Sequence, residues 1–182
     1  DYSYNYKLTT TTIKTTTQYL YGATFLTASG TTTSDAMTRS DTYADTGIAA
    51  AKLRTRTYYD VSRGKGDEIA DYGYNYANDG STIKNTSVYY YNSLKASNAT
   101  VTSETTMNIS ESYKGATILT ANLRTKTYYD VSRGKGDEIA DYSYNYDTTG
   151  AAVKTVSVFY YGGNRASNVA VTSDTAMNKS ES

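Results

Sequence analysis

The most polar feature of the sequence is Arg63-Gly64-Lys65-Gly66-Asp67-Glu68, which recurs as Arg133-Gly134-Lys135-Gly136-Asp137-Glu138. With Asp60 upstream, Asp67 and Glu68 offer the carboxylate oxygens that a hard cation such as Ca²⁺ gathers. The segment also carries its own Arg and Lys, which favours a charged hairpin turn with opposite signs paired across neighbouring units. Its Gly-x-Gly is no phosphate loop, because no helical pattern follows whose first amides would hold an anion. Asp67 and Glu68 as a glycosidase pair fail on geometry, since adjacent strand residues point to opposite faces. A Ser–Lys nucleophile is compatible with the composition, yet nothing singles one out, and the expectation is that the chain is not an enzyme.

Aromatic chemistry rests almost wholly on tyrosine, with 22 Tyr against 2 Phe and no Trp. Tyr2, Tyr4 and Tyr6, then Tyr72, Tyr74 and Tyr76, then Tyr142, Tyr144 and Tyr146 alternate with small or polar residues, so the phenols share one strand face. Such rings either stack on sugars or pack between repeats, where a large ring is buried at low entropic cost and its hydroxyl meets a partner at a wet boundary. Packing is the favoured role, with Tyr72 and Tyr142 superposed in ladders. Thr9 to Thr17 and Thr31 to Ser34 are candidates for O-glycans. Asn85, Asn98, Asn108 and Asn178 each stand in an Asn-x-Ser/Thr acceptor pattern.

Missing residue types narrow the chemistry further. There is no His, Cys or Pro, which removes zinc sites of the usual N/S type, Cys or Ser-His nucleophiles, haem and iron–sulfur ligation by those residues, and disulfides. No cofactor is expected. Eighteen Lys and Arg offset eighteen Asp and Glu, and a zero net charge argues against nucleic acid or a polybasic membrane contact as partner. A mean hydropathy of -0.62 leaves no 18-residue apolar run, so no membrane span is expected. The chain opens on Asp1 without a signal peptide, which fits a processed product or an excerpt.

A 70-residue period positions all of these residues. The string LRTRTYYDVSRGKGDEIADYGYNY at 53–76 returns at 123–146 with only Arg56/Lys126 and Gly73/Ser143 changed, and Met37, Met107 and Met177 fall in register. The period divides the chain into a divergent first unit, 1–70, a second, 71–140, and a partial third, 141–182. GATFLTA at 22–28 returns as GATILTA at 115–121, which suggests about three degenerate sub-repeats within each period. Strand-favouring runs at 82–91 and 153–161 follow the turn signals Asn78-Asp79-Gly80 and Asp147-Thr148-Thr149-Gly150. A second hairpin is expected from Thr57 to Val61 and Ile69 to Tyr76, with Gly64 and Gly66 supplying positive φ between them. Helix signals are poor, and the Ala-rich Ile48 to Lys52 is too short to nucleate one.

Tyr144-Asn145-Tyr146-Asp147-Thr148-Thr149-Gly150, followed by a β run to Tyr160 and Tyr161, resembles the YD repeat of the Rhs/YD family, whose pattern is Tyr-x-Tyr-Asp-x-x-Gly and then a strand. Tyr58-Tyr59-Asp60 and Tyr128-Tyr129-Asp130 match less well. Copy two has Ala77-Asn78-Asp79-Gly80 where Asp would follow Tyr76, and copy one reads Lys7-Leu8-Thr9-Thr10 without Gly. The resemblance implies a long antiparallel sheet wound as a spiral in bacterial extracellular or cell-surface proteins. The fold expected is all-β, with repeated antiparallel hairpins stacked as a spiral sheet, solenoid-like or fibre-forming. The function expected is a structural extracellular filament or surface fibre, polymerising with itself and carrying covalent glycans. An adhesin or stalk that binds carbohydrate or a partner cell through Tyr-lined faces is the alternative.

Overall fold

The computed structural model describes residues 2–8 and 10–182. Asp1, and Thr9 at the head of the threonine run named above, lie outside the described residues. Among the described residues twelve strands form: β1 Tyr2–Tyr6, β2 Ile13–Tyr21, β3 Met37–Ala44, β4 Leu53–Asp60, β5 Ile69–Tyr76, β6 Ile83–Tyr91, β7 Leu94–Lys95, β8 Met107–Lys114, β9 Leu123–Asp130, β10 Ile139–Tyr146, β11 Val153–Tyr161 and β12 Met177–Glu181. Tyr and Thr are the commonest residues in them, with planar or branched side chains that fit a pleated surface better than a helix. The helical turns among the described residues are three-residue 3₁₀ pieces, one of them Ala50–Lys52 within the Ala-rich patch.

Strand order along the antiparallel sheet follows the chain, β1-β2-β3-β4-β5-β6-β8-β9-β10-β11-β12, with β7 paired to β6 off this path. The sequence period therefore holds four long strands rather than three sub-repeats. Both GAT(F/I)LTA strings begin where a strand ends, Gly22 after β2 and Gly115 after β8, each at positive φ (67° and 69°). The 93-residue offset thus marks one kind of strand exit used after two different strands.

The chain divides into two compact units, 1–86 and 87–182. In the first, β1 through β5 pair in sequence; Tyr58 of β4 lies opposite Tyr72 of β5, and Thr57 opposite Gly73. In the second, Tyr128 lies opposite Tyr142 and Thr127 opposite Ser143. The hairpins β1–β2 and β10–β11 share one register, Tyr2↔Gln18 to Tyr6↔Ile13 and Tyr142↔Val158 to Tyr146↔Val153, with the shift at the same place. Such bulges sharpen strand twist and interrupt regular pairing.

Burial is sparse and partly polar. Within 87–182, Ile139, Tyr161, Ala166 and Val171 form a cluster with Phe159 against it. Arg133 clamps the loop that carries Ala166 and Val171, donating from Nε to the Val171 carbonyl (2.7 Å) and from Nη2 to that of Asn168 (2.8 Å). Within 1–86, Thr16 and Asp41 are almost fully buried, and Leu20, Tyr43 and Leu53 are buried as well.

Each turn after a DYxYNY strand closes in the same way whatever its residues. Lys7 N donates to Thr12 O, Ala77 N to Thr82 O and Asp147 N to Ala152 O, at 2.9, 2.8 and 3.0 Å. Asp147 Oδ1 accepts from Thr149 N and Oγ1; in copy two Asp79, two residues further on, accepts from Ser81 N, Thr82 N and Thr82 Oγ1. These hydroxyl and amide donors hold the Asp79 carboxyl down at about 2.

Candidate functional site

The tyrosine face is built from directly opposed cross-strand residues, the closest side-chain pairing that an antiparallel sheet provides. Tyr58 and Tyr72 stack with ring centroids 4.8 Å apart and planes 19° from parallel; Tyr128 and Tyr142 repeat this at 4.7 Å and 14°. Tyr74 lies edge-on to both Tyr58 and Tyr72, and Tyr76 edge-on to Tyr74. Tyr144 is edge-on to Tyr128 and Tyr142 in the same manner. Ladders therefore run between adjacent strands, Tyr72 taking Tyr58 and Tyr142 taking Tyr128 as partner. Burial, then the neighbouring phenols Tyr74 and Tyr58, push the Tyr72 hydroxyl up from its ordinary value, and Tyr142 shifts likewise. Tyr2, Tyr4 and Tyr6 stand 46, 48 and 55% exposed; among the described residues β1 pairs with β2 alone and no strand supplies the counterpart of Tyr58.

Beside this face lies a buried acid that the sequence reading did not single out. Asp41, 1% exposed, accepts from Arg56 Nε at Oδ1 and from Arg56 Nη2 at Oδ2, both at 2.8 Å, with Arg39 Nη2 3.2 Å away. One period later Glu111 takes this place: Lys126 Nζ lies 3.0 Å from Oε1, while the hydroxyls of Tyr90 and Tyr113 donate to Oε2 at 2.7 and 2.5 Å. Glu181 recurs at the same register position, with Lys179 and the Tyr160 hydroxyl as donors.

The two clusters exchange donors in a compensating way. Where copy two has Tyr90 and Ile109, copy one has Leu20 and Arg39, so the donor lost with the phenol is replaced by a guanidinium. Arg39 is held under the ring of Phe25, 4.5 Å from its centroid, and Phe25 adopts φ 56°, a conformation that costs a bulky residue energy. A sequence signal for the site did exist. Arg56/Lys126 is one of only two changes in 24 matched positions, and it accompanies Asp41/Glu111: the bidentate fork meets the short acid, the point charge the long one.

Burial works to raise the Glu111 pKa, but the Tyr113 and Tyr90 hydroxyls and the Lys126 ammonium outweigh it and leave it lowered. Burial and the bond to the carboxylate push Tyr113 up to about 12 and Tyr90 further still. These groups are charge-balanced and mutually bonded, which is the arrangement that lets an ion pair persist in a sheet interior.

No family model, curated protein or solved structure matches this chain.

The Arg-Gly-Lys-Gly-Asp-Glu segments serve as fasteners. Asp60 Oδ1 accepts from Arg63 Nη1 at 2.8 Å and from Ser62. Glu68 accepts from Gly66 N and from Met37 N, at 3.0 and 2.9 Å, fixing the start of β3; Lys65 Nζ donates to Thr33 O at 2.6 Å. Copy two repeats the set, with Glu138 accepting from Gly136 N and Met107 N and Lys135 donating to Ser103 O. Asp67 is exposed and apart from this set. Among the described residues no group of three or more His, Cys, Asp or Glu side chains is gathered for a metal ion. An open cavity of about 280 Å³ is lined by Tyr21, Thr31, Thr32, Thr33, Asp35 and Lys65.

The four Asn-x-Ser/Thr asparagines differ in their surroundings. Asn108 is tied at both ends to Ser93, Oδ1 accepting from Ser93 N and Nδ2 donating to Ser93 Oγ. Asn85 Oδ1 accepts from Asn75 Nδ2 at 2.6 Å inside the sheet. Asn98 and Asn178 are exposed.

Proposed function

We propose that the chain is a structural β-repeat of an extracellular filament or surface fibre, in which successive periods continue one spiral sheet. The observation that carries this reading is the identity of strand register between copies: β1–β2 with β10–β11, and Tyr58↔Tyr72 with Tyr128↔Tyr142. Each period reproduces the strand edge that the next one pairs with, so sheet growth by whole periods keeps every buried acid and every tyrosine stack. Each buried acid is met by basic groups from its own or the adjacent strand, Asp41 by Arg39 and Arg56 and Glu111 by Lys126, which suits a load-carrying role. The YD resemblance and the exposed sequons at Asn98 and Asn178 support an extracellular place and a glycan coat.

Negative-stain microscopy of the purified protein at micromolar concentration, with light scattering on the same sample, tests the reading. Fibres or an end-to-end series of oligomers are expected; a uniform monomer at all concentrations overturns self-assembly.

The continuous rings of Tyr58, Tyr72, Tyr74 and Tyr76 favour one second reading, a sugar-stacking adhesin face. Glycan-array binding lost on Tyr72→Ala and Tyr142→Ala, in variants that retain the β circular dichroism spectrum, distinguishes it.

A further inference from the structure

We propose that Tyr58–Tyr72 and Tyr128–Tyr142 are oxidative cross-linking sites, each pair joining through a carbon–carbon bond between the ring positions ortho to the hydroxyls when a one-electron oxidant, such as a haem peroxidase with hydrogen peroxide, acts on the protein. Both pairs are near-parallel, offset stacks with centroids 4.8 and 4.7 Å apart, an arrangement that lays one ring's edge carbons over the other ring. The edge-on neighbours are placed differently: Tyr74 meets Tyr58 at 81° and Tyr72 at 71°, so edge meets face and the ortho carbons do not oppose each other.

All four rings are half-buried, open to a small oxidant yet fixed by the sheet. Among the described residues no protein acceptor holds their hydroxyls, in contrast to Tyr59 and Tyr129, which share hydrogen bonds with Ser40 and Ser110. Each phenol gives up one electron and its hydroxyl proton to become a phenoxyl radical whose spin is shared with the ortho carbons. The two ortho carbons form the bond, and the ring hydrogens at those carbons return to the oxygens as aromaticity is restored. Hydrogen peroxide takes the two electrons and two protons and leaves as two waters, so the protein loses two hydrogen atoms per link. Holding the partners in contact raises their effective concentration far above that of tyrosines on separate chains. The link would staple β4 to β5 and β9 to β10 regardless of whether the chain forms fibres.

The test uses dilute full-length protein treated with peroxidase and hydrogen peroxide, then the monomer band is analysed by dityrosine fluorescence and tryptic mass mapping. Thr57 to Arg63 and Thr127 to Arg133 give the same tryptic peptide, TYYDVSR, but the partner peptides 66–84 and 136–154 differ in sequence, so each link is assigned by its partner. Expected are both cross-linked species at two hydrogens below the summed peptide masses, located by fragmentation to Tyr72 and Tyr142. Tyr58→Phe with Tyr128→Phe should abolish them while keeping the stacked rings and the β circular dichroism spectrum; Tyr59→Phe with Tyr129→Phe should leave them. Links distributed over other tyrosines, or an unchanged yield in the Tyr58→Phe/Tyr128→Phe protein, overturn the proposal.

Discussion

Arg56 binds Asp41 through two parallel hydrogen bonds of 2.8 Å across the β3–β4 pair, and this fork is buried on the Asp41 side, where the side chain is 1% exposed. A carboxylate in that position is tolerated only because its charge is met on the spot. The Arg56 guanidinium, bonded to Asp41 against the opposing pull of burial, is held above even its ordinary basicity.

Removing one partner should therefore be worse than removing both. Asp41→Asn leaves Arg56 and Arg39 facing no counter-charge and should cost about 3–5 kcal/mol, whereas replacing a buried pair with apolar groups of similar volume is often near neutral. Urea unfolding of Asp41→Asn, Arg56→Met and the Asp41→Asn/Arg56→Met double variant measures the coupling. Strictly additive losses would show that the fork contributes nothing as a pair.

The second copy allows a pH test. The Glu111 carboxyl is lowered from its ordinary 4.5, so the folded state holds its proton less tightly than the unfolded state. The stability this supplies is complete above about pH 4.5 and is lost as pH falls through the lowered folded value. Glu111→Gln should flatten the stability profile below pH 4.5 while reducing stability at neutral pH, and Tyr90→Phe should cost about 1.5–3 kcal/mol as a hydrogen bond to a charged group. An acid limb identical in Glu111→Gln and the parent would assign the pH dependence to other carboxyls.

How much of this was legible in the sequence differs by feature. The DYxYNY strands, the hairpin turns and the β4–β5 hairpin could be read because period-two alternation and Gly-bearing turns are local signals. Four strands per period were harder to see, since β3 and β8 are written with polar residues: Arg39, Ser40, Asp41 and Thr42 look like loop chemistry until Arg56 is placed opposite. The acid site stayed hidden for the same reason. Its partners lie 15 residues apart in Asp41 and Arg56, and only their joint replacement by Glu111 and Lys126 records the contact. For Tyr72 a 70-residue period suggests stacking by whole repeats, whereas its partner on the adjacent strand, Tyr58, lies at far shorter chain separation and carries no periodic signal of its own.

Alkaline titration should separate the tyrosines. Tyr113 is pushed up to about 12 from an ordinary 10.0, first by burial and then by the bond it donates to Glu111. A raised folded value means that the neutral phenol favours the folded state; this contribution is complete below pH 10 and is lost as pH climbs towards 12. Phenolate absorbance should rise in a late step near unfolding, and Tyr113→Phe should diminish that step. A single transition at the ordinary tyrosine value, with the fold intact, would contradict the burial of these hydroxyls.

Two glycines should prove much less replaceable than two others that also sit at positive φ. Gly80 and Gly150 have φ of 68° and 69°, Gly64 and Gly134 φ of 96° and 94°, so alanine at any of the four pays the left-handed penalty of about 1–2 kcal/mol. At Gly64 and Gly134 an added Cβ meets nothing within 4 Å. At Gly80 it would overlap the Ala50 carbonyl oxygen and come within 2.7 Å of the Ala51 carbonyl carbon; at Gly150 it would overlap the Thr120 carbonyl oxygen. There the turn is docked onto the 3₁₀ piece before the neighbouring strand, and Arg54 and Arg124 lock it by donating from Nη1 to Asn78 O and Asp147 O and to the Leu53 and Leu123 carbonyls. Relieving the overlap means moving backbone, which adds about 1–3 kcal/mol. Thermal or urea midpoints should therefore fall further for Gly80→Ala and Gly150→Ala than for Gly64→Ala and Gly134→Ala, and equal falls in all four would refute the docking of these turns.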